Sequence, residues 1–592
     1  MEQMEPVWTD RTQSGERSLT ISRKGRTPFS VLLALFSNKR ILTLLGAIAV
    51  LILFVYPILK LILLSFQGEQ GWTLAHYMNL LQQDRFWTTM RNTAVIVLGS
   101  TVLSVVLGAA FAWIVAYTDI RHKGPLHMAI LLCFILPSYV LTLSWSSFMG
   151  PQGWIAKLLQ GIHSDLAPWS MYSMGGIIFV MGIHHFPLVY LFTVDVFRKI
   201  PRDLEWAARA GGATRLNTLR RITLPLALPG LTAGGLLVFL ASLDNFGIPA
   251  FLGSPVNISV LSTLIYEEII GFGPTAFARG ASLSVLLGLA AVLGSLLQWL
   301  LLRKSHASDT IQPDLTPRYT LGRMSKPLSF ILWGFLLLIT VVPLSSMISM
   351  SLKRAYGLGL TAENFTLDNY RYILLENQRV WQAIQNSLVL SAVTMVVCLV
   401  IGCAFAYMRV RRPTAFNKAA ELAMAVPYTL PGIVFALSMI LVWMEPIPGW
   451  NPGIYGSMTI LFIAYICRFL ILQVRSGVTS FLQLDVSMEE AARISGAGPW
   501  RKWTAILLPL LLPGILTGGM LVFLTALTEL TVSALLYSSG SQTIGVTIFG
   551  FEQAGDTLYS TALSSLIVAL IAVGGACMLV VQRWAARRGY KA

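Results

Sequence analysis

Several polar side chains stand inside stretches of this chain that are otherwise apolar. Asp244, Asn245 and Glu529 lie near the ends of two apolar runs, His184 and His185 lie mid-run in another, and Arg468 lies a few residues inside a fourth. Ionisable groups in a hydrocarbon layer are costly and mark solute or ion paths, proton relays or mutual pairing. Carboxylates are hard oxygen donors, suited to a hard cation. Their other use is to satisfy backbone groups where a helix breaks. Asp244 and Glu529 follow Pro225 and Pro509 by 19 and 20 residues, about 28–30 Å of helix, which points to an outer mouth. Adjacent histidines on a helix diverge by about 100°, so one of His184 and His185 at most faces a path. A lone buried histidine is more often a hydrogen-bonded packing residue. Asp244, Asn245, Glu529, His184 and His185 are the pathway candidates, with Arg468 free to snorkel or to pair with an acid.

Other chemistries find no support. The five cysteines (Cys133, Cys398, Cys403, Cys467 and Cys577) sit in apolar runs without metal-ligand spacing and read as small buried hydrophobes. A metal ligand set is therefore unknown. No Gly-x-x-x-x-Gly-Lys-Ser/Thr occurs, nor any Gly-Lys pair, so the chain is not itself an ATPase and needs no cofactor of its own. The net charge of +16 raises nucleic acid as a partner, and its distribution argues against that.

The elements that position these residues are membrane helices. Charged residues make up 12% of the 592 and hydrophobic ones 55%, half the charge of a soluble protein. Apolar runs fall at roughly 41–66, 92–117, 127–149, 174–196, 226–248 and 281–302, and again at 328–351, 386–408, 419–444, 455–474, 510–532 and 560–582. Each is long enough to cross a bilayer. The expected fold is an all-α polytopic membrane protein of about twelve spans. It comprises a basic tail (1–40), a first six-span unit (41–302), a linker (303–327), a second unit (328–582) and a short tail (583–592). The first 30 or so residues lack a cleavable signal pattern. Of 43 Lys and Arg, 33 fall in the segments on one side, which makes that side, with both termini, cytoplasmic. The basic charge is thus a topology signal. Pro137, Pro427 and Pro431 fall inside the third run of each half and allow kinks. Glu267 and Glu268 lie in an outer segment.

Two polar loops, 201–225 and 478–509, sit at matching places in the halves. Glu205–Gly230 and Glu489–Gly514, compared at an offset of 284, share 13 of 26 residues. The second opens with Glu489 and Glu490 in a first helical turn that Ser487 can cap. Ala491 and Ala492 let another surface approach closely, Gly496 suits a left-handed helix end, and Pro509 opens the next span. The first copy carries Glu205, Ala207, Ala208, Gly212 and Pro225 in the same order. One such loop could be a helix lying on lipid; two at one topological position argue for a duplicated function. The halves also repeat in Asn92-Thr93 against Asn386-Ser387, Gly108-Ala-Ala-Phe against Gly402-Cys-Ala-Phe, and Leu74-x-x-Tyr77 against Leu367-x-x-Tyr370. They form two parallel six-helix repeats with a pathway expected between them.

The pattern Glu490-Ala491-Ala492, Gly496, Ile506, Leu508-Pro509 resembles the coupling loop of binding-protein-dependent ABC importer permeases, in fused two-unit form. The first copy departs from it, with Trp206 where the motif glutamate belongs. Asp244-Asn245-Phe246-Gly247 and Glu529-Leu530-Thr531 resemble stretches of ferric iron permeases. The resemblance implies a subunit of the bacterial inner membrane, with two copies of an ATP-binding subunit docked on the loops and holding ATP and Mg. It also implies an extracytoplasmic binding protein that delivers solute. Ferric iron is the leading solute; close relatives handle 2-aminoethylphosphonate, thiamine or polyamines. An ion-coupled secondary transporter using Asp244, Glu529 or His184 is the rival, but such a carrier has no reason to keep the repeated loop.

Overall fold

Prolines set where the helices of this chain bend and break. The computed structural model describes residues 39–68, 71–163, 165–271, 273, 275–302, 314–445 and 453–589. The basic tail up to residue 38, linker residues 303–313 and the end of the chain from 590 lie outside the described residues. Two compact units are present, Met1–Val50 and Leu51–Ala592. The first contributes the helix Lys39–Val50; the second holds the rest of the first repeat and all of the second repeat.

Among the described residues ten helices are long and apolar enough to cross a membrane, from Thr43–Ser65 to Thr557–Cys577. The third run of each half is instead a pair of helices. Lys123–Ile135 and Ser138–Ile162 meet at 95°, and Ala415–Thr429 and Gly432–Trp443 at 109°. Counted as one span each, the pairs bring the total to twelve. Sequence predicts kinks here and the structure has full breaks. Pro137 and Pro431 are extended (ψ 140° and 134°), as are Leu136 and Leu430 before them, because a residue preceding proline is excluded from helical geometry. Pro427 lies within its helix. Among the described residues the only strands are the two-residue pair Gln67–Gly68 and Gly71–Trp72.

A second proline device recurs four times. The π-turns Leu51–Val55, Leu219–Thr223, Leu337–Val341 and Trp503–Leu507 each end two residues before a proline: Pro57, Pro225, Pro343 and Pro509. Proline has no N–H to donate, and its ring displaces the carbonyl four residues back; a widened turn absorbs the mismatch. The helix therefore continues through polar residues. The fifth spans begin at Arg215 and Pro499 and end at Asp244 and Leu527, starting and stopping earlier than the apolar runs suggest. The last helix likewise runs to Gly589, through residues the sequence reads as a tail.

The repeated residues do the same work in each half. The Tyr77 hydroxyl donates to Ser65 Oγ at 2.8 Å, and Tyr370 pairs with Ser351 at 2.6 Å. Thr93 Oγ1 and Ser387 Oγ accept the backbone N–H of Leu261 and Ile544, at 2.9 and 2.8 Å, capping the short helices Leu261–Ile270 and Ile544–Gln553. Gly108 and Gly402 allow close helix contact. A Cβ on Gly108 would lie 2.6 Å from Val189 Cβ, and one on Gly402 would lie 2.7 Å from Gln473 Cγ. Small residues at such crossings give membrane helices their contact area. Cys133, Cys398, Cys403 and Cys467 are buried, but Cys577 is exposed, where the last span turns an outer face.

Candidate functional site

The two motif loops fold alike. Each is a nine-residue helix, Arg202–Ala210 or Val486–Ile494, closed by a glycine with positive φ: Gly212 at +86° and Gly496 at +76°. The chain turns back through paired bonds: Gly212 N–H to Arg209 O and Ala213 N–H to Ala208 O, matched by Gly496 to Arg493 and Ala497 to Ala492. This Schellman-type end requires the left-handed conformation that glycine adopts freely. Nothing lies within 4 Å of a Cβ added at either glycine, so φ rather than space selects the residue. The N-cap of the second helix is Asp485, whose carboxylate accepts the Ser487 N–H at 2.9 Å, and not Ser487 itself. The first helix starts at Pro201 without a side-chain cap.

Glu205 and Glu489 are equivalent, and both point inward. Glu205 is 5% exposed and Glu489 7%. Glu205 accepts from the Tyr117 hydroxyl at 2.8 Å and Thr223 Oγ1 at 2.7 Å, and pairs with Arg318 at 3.1 Å. Glu489 takes Arg411 at 2.6 Å and Lys502 at 2.9 Å. Burial pushes the Glu489 carboxyl up, but the bonds from Lys502 and Arg411 outweigh it and hold the carboxyl below the usual range. These acids fasten each loop to its bundle. The outward face is carried by Trp206, 58% exposed, with Ala207 in the first loop, and by Glu490 and Ala491 in the second. Ala208 is half-buried and Ala492 buried. The Trp206 departure thus alters the exposed surface and leaves the anchor intact. Arg318 comes from the linker, whose Tyr319 bridges to Thr118 and whose Asp314 pairs with Arg202 at 2.5 Å.

Parity places both loops on one face. Arg318 touches the first loop; two spans later Arg411 touches the second.

Between the halves, at the breaks, the pathway candidates separate. Asp244 ends the fifth span and reaches the second half, where its carboxylate accepts the Gly432 N–H and pairs with Arg468 Nη2 at 2.9 Å. Arg468 also donates to the carbonyls of Pro427 and Leu430, each at 3.2 Å. Arg468 is the eleventh residue of the 25-residue helix Met458–Leu482, about 15 Å from one end. Asp244 is level with this point of the helix, and the short helices Gly247–Leu252 and Leu261–Ile270 follow it in the chain. The partner of Glu529 in the repeat is Asn245, not Asp244. Asn245 Oδ1 accepts the Ile248 N–H at 3.0 Å and Glu529 Oε1 the Val532 N–H at 2.8 Å. Both satisfy backbone groups where the fifth span breaks.

His184 and His185 are buried. His185 Nδ1 lies 3.4 Å from Ser242 Oγ, which also bonds Ser100, inside the bundle of the first half. His184 stacks against Phe134. Glu267 pairs with Arg85 and Glu268 with Arg279, so neither is a bare loop acid. Among the described residues no group of three or more His, Cys, Asp or Glu is arranged to hold a metal ion.

Sequence reasoning missed Tyr117, Arg318, Arg411 and Lys502 as loop anchors. Arg411 and Lys502 were counted only as topology charges, and Arg318 has no repeat mate to draw attention to it.

The family profile described as "Binding-protein-dependent transport system inner membrane component" matches residues 26–306 and 398–589. The "Ferric transport system permease protein FbpB" of Actinobacillus pleuropneumoniae is 24% identical over 573 residues, covering 94% of this chain and 80% of that protein. The "Probable ABC transporter permease protein y4fN" of Sinorhizobium fredii is 25% identical over 513 residues, covering 85% and 89%. The "Putative 2-aminoethylphosphonate transport system permease protein PhnU" of Salmonella choleraesuis is 26% identical over 230 residues, covering 38% and 80%.

Proposed function

This chain belongs to the binding-protein-dependent transport system inner membrane components, and on that premise we propose that it imports ferric iron, with the two motif loops as docking points for two ATP-hydrolysing subunits. Membership makes it a multi-pass permease of an ABC importer that is not itself catalytic. The observation that carries the docking role is the duplicated loop: an inward acid, an exposed alanine and a left-handed glycine, twice. The two loops would sit in the cytoplasm with both termini, and the nucleotide and its magnesium would be held by the docked subunits. A binding protein would deliver solute on the opposite face. Iron is supported by the ferric transport name of a relative aligned along most of the chain.

The test is reconstitution in proteoliposomes with the candidate ATPase and binding protein. ATP-dependent accumulation of radioactive ferric iron is expected. Uptake driven by an ion gradient without any ATPase would sink the reading. Competition by 2-aminoethylphosphonate, thiamine or a polyamine in place of iron would reassign the solute and leave the class standing.

A further inference from the structure

Asp244 is one place where the first half grips the second, as Lys60 and Glu445 are another. The Asp244 carboxylate accepts one bond from the Gly432 backbone and one from Arg468, both residues of the second half. Arg468 is almost wholly enclosed, with 5% of its side chain exposed, whereas 36% of the Asp244 side chain is open. The guanidinium spans the elbow of the broken span. Nη1 holds the carbonyls of Pro427 and Leu430, which the break leaves without helical donors, and Nη2 is left for Asp244. The fit is tight: a Cβ on Gly432 would come within 2.9 Å of Thr531 Cγ2 and 3.1 Å of Arg468 Nη2.

The repeat supplies an internal comparison. His184 is the eleventh residue of Met174–Lys199, as Arg468 is of Met458–Leu482, and it stacks on Phe134 beside the first break. The offset of 294 that relates Pro137 to Pro431 carries Phe134 onto Tyr428, next to Pro427. Each fourth span thus sets a side chain against its neighbour's elbow from the same register. The first half does this with an imidazole, and the repeat mate of Asp244 is Thr528, whose hydroxyl returns to Leu524 O at 2.9 Å. Among the described residues, a fourth-span cation met by an acid of the other half occurs in the second half alone.

We propose that Asp244 and Arg468 form a latch that keeps the two halves closed at the elbow of the broken span and opens when they part. Arg468 retains the elbow carbonyls as Asp244 leaves, so the latch releases between the halves and not within one. This rests on the permease reading, since a chain whose halves never separate has no use for a latch. Bringing a charge-assisted bond apart gives a discrete two-state element of the kind that couples distant sites.

The test uses the chain alone in membrane vesicles, so that it does not depend on uptake. In a background lacking the native cysteines, Thr531→Cys reports access to the elbow through its rate of reaction with a membrane-impermeant thiol reagent. Asp244→Asn keeps an acceptor for Gly432 and removes the charge; labelling should quicken on the order of tenfold, a typical coupling factor. Asp244→Glu should stay near the parent rate. If Asp244→Asn does not fold, Arg468→Lys takes its place, because an ammonium cannot serve Asp244 and both carbonyls with the same geometry; a smaller increase is expected. Parent-like labelling in the folded Asp244→Asn or Arg468→Lys protein overturns the latch. The permease reading fails separately, on the parent protein in the proteoliposome assay.

Discussion

At the residue scale, two glycines and two glutamates decide whether each loop keeps its shape. Placing a side chain at Gly496 forces a left-handed conformation that costs about 1–2 kcal/mol without creating a clash. Gly496→Val should therefore leave membrane abundance unchanged and abolish ATP-driven uptake. Gly498→Val is the control, since Gly498 has φ −63° and equally open surroundings; it should transport as the parent does. Glu489→Ala strands Arg411 and Lys502 and should destabilise the loop contact by about 3 kcal/mol, read as a lower midpoint of heat-induced aggregation. Glu490→Ala, on the exposed face, should leave the midpoint where it is. The folded Glu489 carboxyl titrates below its ordinary 4.5, so its contribution is complete above that value and disappears as pH falls through the lower, folded one. Protease resistance of the second loop should be flat across neutral pH and drop only in acid. Loss of resistance near neutrality would count against Glu489 as the anchor.

At the element scale, the repeat was legible wherever one residue type does one job in both halves. Asn92-Thr93 and Asn386-Ser387, Tyr77 and Tyr370, and Gly108 and Gly402 all have matched partners. The spans and loops were also legible, because hydrophobic length and glycine–proline punctuation are local signals. The inward aim of Glu205 and Glu489 was not, since burial depends on residues 78 to 113 positions away, such as Arg411 and Arg318. Nor was the full break at Pro137 and Pro431; at Pro431 another helix takes the freed carbonyls, through Arg468. Close crossings give a direct check. Gly108→Val would drive a side chain into Val189 Cβ and Phe186 O, within 2.8 Å, an overpacking penalty of about 1–3 kcal/mol. Lower yield and a lower thermal midpoint are expected, while Gly334→Val, with nothing within 4 Å, should be silent.

At the scale of the whole molecule, the two halves are nearly equivalent in fold and unequal in how their loops are tied. The second loop is held by its own half, through Arg411 and Lys502. The first is held by Tyr117 and Thr223 of its half and by Arg318, which belongs to the linker leading into the other half. Arg318 lies over the Tyr117 ring at 4.4 Å and is itself buried. A force on the first loop is thus passed to the segment that opens the second half, and the reverse has no counterpart among the described residues. Arg318→Ala should expose Glu205 and loosen the first loop alone. Cysteines placed at Trp206 and at Ile494, both exposed, read the two loops separately by crosslinking to the ATPase. Arg318→Ala should lower the yield at 206 severalfold and leave that at 494 within error. Equal loss at both sites would mean that the linker braces the whole face, and no loss would mean that Tyr117 and Thr223 suffice.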